Sequence, residues 1–320
     1  MLFQCKKFGL CWLLILFVFL VTGPPARAQG ILLPQNDDPA TLANGALAIL
    51  GFSVVPNETA STMNVDAGGG DVRFNASQLG GAFTVSDSFP LYLEGFAGVA
   101  RYDPRFVFSN GARTAVVAPR WTSIAGTVGV GWDFPITDRI VFRPIANFSL
   151  GHIESDLSLA GRFLSSETGV ELEFLENGRL NAVGYGGAAM LDYELYREAY
   201  EVDVELRYTH IRLQSISGTS EAARATADAI TLGLWSRLRV PTGYEAFGGP
   251  IRAVGELAGS SFLGDQKAIM KTPWLGQIGA GIEFDTTTVS WHPVYRTRLM
   301  ARYLIGDNLS GFSFGLAVTF

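Results

Sequence analysis

Between Phe312 and Phe320 the chain alternates without a break. Phe312, Phe314, Leu316, Val318 and Phe320 are large and apolar, while Ser313, Gly315, Ala317 and Thr319 are small or polar. A strand places these two sets on opposite faces. The chain also stops on its apolar face, with an aromatic residue. Such an ending suits a strand that turns this face towards lipid better than one half-buried in a water-soluble domain.

The rest of the chain must be compatible with that strand. Hydrophobic residues make up 48% and charged residues 17% of 320 positions, with a mean hydropathy of +0.23. This excludes a disordered chain. A net charge of −6, from 24 basic and 30 acidic residues, argues against nucleic acid as a partner. The hydropathy starts with a leader. Lys6 and Lys7 precede an apolar run from Phe8 to Val21, and Ala26-Arg27-Ala28 follows Pro24-Pro25, the pattern of a signal peptide over residues 1–28 cleaved near Ala28. Both cysteines, Cys5 and Cys11, fall in this leader, so the remaining chain has no disulfide and no thiolate ligand. After residue 28 no apolar run approaches the roughly 20 residues of a spanning helix. The apolar content is spread over many short segments.

Those segments alternate as the last one does. Val202, Val204, Leu206 and Tyr208 alternate with Asp203, Glu205, Arg207 and Thr209. Ile278, Ala280, Ile282 and Phe284 alternate with Gln277, Gly279, Gly281 and Glu283. The second set is small or charged, often glycine. Glycine on the water face of many strands would weaken a sandwich, but it suits the crowded inner face of a barrel. The expected fold is all-β, a transmembrane antiparallel up-and-down barrel of about 12 strands over residues 46–320, after a short periplasmic or lumenal segment at 29–45. The expected strands are 46–55, 72–85, 90–102, 119–134, 139–151, 180–195, 200–213, 227–239, 250–261, 274–285, 293–305 and 311–320. Connections alternate between long and short, which puts the long ones outside the cell and both termini in the periplasm. Tyr102, Trp121, Trp132, Phe134, Tyr193, Trp274, Trp291 and Tyr303 are expected in the interfacial aromatic girdles. At the first strand, Asp38-Pro39 also suits a helix start. A helix reaching Leu50 would reduce the strand count to eleven.

By the same parity a set of charges faces the lumen: Glu94, Arg143, Asp192, Glu194, Asp203, Glu205, Arg207, Arg237, Arg239, Arg252, Glu256, Glu283, Arg296, Arg298 and Arg302. An arginine turned to lipid near the midplane costs about 2–4 kcal/mol. The charges either pair and fill a narrow lumen or line a selective pore.

No motif points to catalysis, a cofactor or a metal. His152, His210 and His292 are too far apart in sequence for a helical metal pair. Gly311 to Gly315 matches G-x-S-x-G, but it lies in a strand that ends the chain, with no following helix. A hydrolase would have to use His210 with Thr209 or Ser215, or His152 with Asp156.

The alternating strands, the segments Pro90 to Gly95, Gly131 to Pro135 and Gly178 to Ala182, and the ending Gly311 to Phe320 together resemble an autotransporter-type β-domain, specifically solitary outer-membrane barrels without a passenger. The terminal strand, with Phe312, Phe314, Leu316, Val318 and Phe320, resembles the signal read by the barrel-assembly machinery. The resemblance implies the bacterial outer membrane, a lipid bilayer and that machinery as partners, and a non-enzymatic, structural or passive role. A narrow ion- or solute-selective channel and an outer-membrane hydrolase are the alternatives.

Overall fold

The computed structural model describes residues 39–56, 62–67, 72–103, 106–109, 114–117, 120–155, 179–216, 225–267, 272–287, 295–307 and 309–319. The leader, Trp291, His292 and Phe320 lie outside these residues. A helix, α1 (Pro39–Val54), comes first. It is followed by β1 (Thr62–Ala67), β2 (Val72–Ser86), β3 (Phe89–Asp103), β4 (Phe106–Ser109), β5 (Thr114–Val117), β6 (Trp121–Trp132), β7 (Phe134–Thr137) and β8 (Ile140–Ser155). The remaining strands are β9 (Arg179–Arg197), β10 (Tyr200–Ile216), β11 (Thr226–Ala246), β12 (Gly249–Phe262), β13 (Trp274–Asp285), β14 (Arg296–Gly306) and β15 (Leu309–Thr319).

All pairings are antiparallel, and the main sheet closes on itself. β1 pairs with β15, with Thr62 opposite Phe314 and Ala67 opposite Leu309. At the other junction β6 pairs directly with β8. The sheet has thirteen strands, and β7 only extends one end of β8, which leaves a closed ring of twelve. β4 and β5 form a separate hairpin. The tight connections Ser86–Phe89, Thr137–Ile140, Arg197–Tyr200 and Ala246–Gly249 all fall at one end, and the equally short Gly306–Leu309 link lies at the other.

The strand expected at 46–55 is instead the second half of α1. The count stays at twelve because β1 forms within the stretch expected as the first outer loop. A short apolar run cannot separate a buried strand from a buried helix by its period. Over 47–54, where its burial is described, every residue except Ser53 is apolar or glycine, so no polar stripe marks the helix.

The strands are longer than the 9–11 residues that span a bilayer: β9 has 19 residues, β10 has 17 and β11 has 21. Their alternation reverses where they leave it. On β10 the outward residues run Val202, Val204, Leu206 and Tyr208, then His210, Arg212 and Gln214, while the inward ones change from Asp203, Glu205 and Arg207 to Ile211 and Leu213. On β3 the outward Leu93, Ala97 and Val99 give way to Arg101 and Asp103, and the inward Glu94 gives way to Ala100 and Tyr102. The barrel therefore has a membrane tier, apolar outside and ionic inside, and an outer tier, polar outside and apolar inside. Tyr102 and Trp121, expected in a girdle, are core residues of the outer tier at 3% and 2% exposure.

Candidate functional site

The lumen is the one interior space that the topology creates, and each tier fills it differently. In the outer tier Leu47, Ile49, Leu50 and Val54 of α1 are fully buried against Phe74, Ile153, Leu180, Ile211, Leu213 and Leu304 of the wall. Phe52 meets Phe74 and Phe262 edge-on, with centroids 5.1 and 5.2 Å apart. Gly98 of β3 lies against the helix backbone: a Cβ there would sit 2.6 Å from the Ser53 carbonyl oxygen.

The last carbonyls of a helix lack partners within it, and here the wall supplies them. Thr127 Oγ1 donates to the Val54 carbonyl at 2.6 Å, and Gln78 Nε2 donates to that of Val55 at 2.9 Å. The hydroxyls of Ser53 and Ser123 lie 3.0 Å apart. Thr127→Val preserves the shape but leaves a buried carbonyl unpaired, so urea unfolding in lipid should show a loss of about 1–3 kcal/mol.

The membrane tier holds two ionic clusters. In the first, the fully buried Glu94 carboxylate accepts both ends of the Arg207 guanidinium at 2.7 and 2.8 Å, Asn147 Nδ2 at 2.6 Å and the Tyr92 hydroxyl at 3.1 Å. Arg143 lies 4.1 Å over the Tyr92 ring and pairs with Asp133 and, at 3.4 Å, with Asp192. The Glu94–Arg207 pair joins β3 to β10 as a chord across the lumen.

The second cluster centres on Glu283, which is also fully buried. Four guanidiniums surround it: Arg298 at 2.9 Å, Arg296 at 3.5 Å, Arg239 at 3.7 Å and Arg252 at 3.8 Å. Glu201 binds Arg296 at 2.8 Å and Arg239 at 3.1 Å, linking β10 to β14 across the lumen. Asp203 takes Arg239 at 2.7 Å and Arg237 at 3.5 Å. Glu256 takes Arg302 at 3.1 Å and the Trp235 indole N–H at 2.5 Å, and Arg237 lies 3.8 Å over the Trp235 ring.

The inward residues named from sequence gather in these clusters, with Glu205 buried beside Arg207, except Glu194, which is exposed beside Tyr196 near the end of β9. Glu201 and Asp133 were missed, although each shares the inward parity of its neighbours Asp203 and Gly131. Tyr92, Asn147 and Trp235 carry no sequence signal of their own, because their role depends on what lies across the ring. Between the tiers is a cavity of about 110 Å³, with Phe52, Val55 and Pro56 above and Glu205, Arg207 and Trp235 below.

Both described histidines point outward. His152 Nδ1 lies 2.7 Å from Asn181 Oδ1 and His210 Nε2 lies 3.1 Å from Asp228 Oδ1, so each meets an amide or carboxylate instead of a hydroxyl nucleophile. Ser313 of the G-x-S-x-G match is buried inside continuous β15. Among the described residues no group of three His, Cys, Asp or Glu could hold a metal. Phe312, Phe314 and Leu316 of the terminal strand are 59%, 64% and 63% exposed on the lipid side.

Residues 49–157 match the family model of the autotransporter β-domain. Among solved structures, the chain is similar to the β-domain of the Bordetella autotransporter BrkA, with 11% identity over 82% of this chain and 97% of that one and a TM-score of 0.46. It is similar to the transport unit of the autotransporter AIDA-I from Escherichia coli, with 14% identity over 89% and 100% and a TM-score of 0.43. The translocator domain of NalP from Neisseria meningitidis gives 10% identity over 88% and 97% and a TM-score of 0.40. No curated protein sequence matches the chain. The chain folds as a closed antiparallel β-barrel with an outward apolar band suited to a lipid bilayer, and about a third of it is similar to the autotransporter β-domain.

Proposed function

We propose that this chain is a solitary, self-plugged outer-membrane barrel with a structural, non-enzymatic role. The observation that carries the reading is that each tier of the lumen has its own closure, an apolar helix outside and ionic chords within the membrane. Buried charges stay in a barrel only when paired, and a lumen crossed by bidentate arginine–carboxylate chords has no continuous water column. The role of the charge set from Glu94 to Arg302 is then to fill and brace the wall. On the same reading the leader is cleaved near Ala28, and the barrel-assembly machinery recognises the terminal strand by Phe312, Phe314, Leu316, Val318 and Phe320.

Planar-bilayer recording on the full chain tests this against the channel reading. The expected trace is flat. Stable unitary steps with ionic selectivity would replace the structural role by transport.

A further inference from the structure

The cavity between the tiers is bordered on one side by carbon and on the other by groups that can hydrogen-bond. Phe52, Val55, Phe262 and Leu275 supply the first side. Gln277 and Thr231 supply the second, beside Glu205 and Arg207. Gln277 is 8% exposed, yet its side-chain amide has no hydrogen-bond partner among the described residues and faces the open space. Thr231, 9% exposed, makes one long contact there, 3.5 Å to Gln266 Oε1. A buried amide left unmatched is costly, so the space calls for an occupant that hydrogen-bonds. Gly233 makes the room. A Cβ there would have one neighbour within 4 Å, the Arg207 carbonyl oxygen at 3.9 Å.

We propose that this cavity binds a small neutral molecule with a branched hydrocarbon body and a hydroxyl or amide head. Size, charge and polarity each narrow the class. An apolar cavity of about 150 Å³ holds benzene, so one of about 110 Å³ takes roughly five heavy atoms. Glu205 and Arg207 both border the space, and an ion of either sign would meet a like charge away from bulk water. The Gln277 amide and the Thr231 hydroxyl offer donors and acceptors to the head. Water alone would satisfy them but would wet the phenylalanine side. The occupant touches Phe52 and Val55 at the end of α1 and Pro56 beyond it, so binding and the seating of the helix favour one another. Entry requires local opening of one tier.

The test uses the full chain in lipid nanodiscs with isotope-labelled isobutanol as probe. Nuclear Overhauser contacts from its methyl groups to the Phe52 and Phe262 rings should appear and saturate with concentration. Gln277→Leu should weaken binding about tenfold by removing the amide. Gly233→Val should abolish binding, because its methyl groups take the space, while stability in urea is kept. Isobutylammonium, equal in size but charged, should bind at least about tenfold more weakly than the alcohol. Absence of saturable contacts in the wild type would leave the cavity to water and overturn the proposal. Undiminished binding in either folded variant does the same, and Gln277→Leu decides alone if Gly233→Val does not fold. Equal binding of the ammonium compound overturns the neutral class.

Discussion

Glu283→Ala should lower the stability of the barrel by about 3–5 kcal/mol, read as urea unfolding in lipid vesicles. The substitution removes the carboxylate shared by Arg298, Arg296, Arg239 and Arg252, all within 3.8 Å. Four guanidiniums then face one another, with Glu201 and Asp203 left to neutralise them. The converse change is smaller. Arg298→Ala takes away the closest cation but leaves Glu283 three others, so its loss should be below that of the carboxylate variant. Equal losses would mean that Arg298–Glu283 acts as an isolated pair and not as part of a shared cluster.

The second large effect is on conductance. Gly98→Leu puts a side chain where Ser53 of α1 has its backbone, 2.6 Å from the would-be Cβ. Neither a strand backbone nor a helix backbone can yield by that much, so α1 must leave its seat. R207A/E201A removes both chords of the other tier, to Glu94 and to Arg296. The two closures stand in series, so either one blocks the lumen alone. G98L alone and R207A/E201A alone should each give a flat trace in planar bilayers, and the variant combining them should conduct. Steps from either one alone would show that its partner tier is not a seal.

The lipid-facing half of the fold was legible because lipid imposes one rule on every strand. In β10, β13 and β14 the outward set is apolar and the inward set is small or charged, so parity alone placed Glu283, Arg298 and Arg302 inside. The outer tier was illegible by that rule because the same strands reverse it: Ile211 and Leu213 point inward while His210 and Arg212 point to water. A reader who expects one apolar face will put Tyr102 and Trp121 in a girdle instead of a core. The helix was misread for a related reason. An apolar run in an apolar enclosure shows no polar stripe, so neither period stands out. The pairing within the clusters needs the ring itself. Arg207 reaches Glu94 because the strand number sets the diameter, which no local pattern encodes.

The ring closes where Thr62 meets Phe314, two residues separated by 314 − 62 = 252 positions. Most other junctions join strands that are neighbours in sequence and can form as local hairpins. A contact so distant in sequence carries a large loop-closure cost. α1 precedes β1 in the chain, so the ladder that closes the ring onto β15 also closes it around the helix. What was threaded before that moment is trapped after it. The native barrel is thereby guarded by the rate at which one short ladder reopens, and its lifetime is a matter of kinetics as much as of free energy.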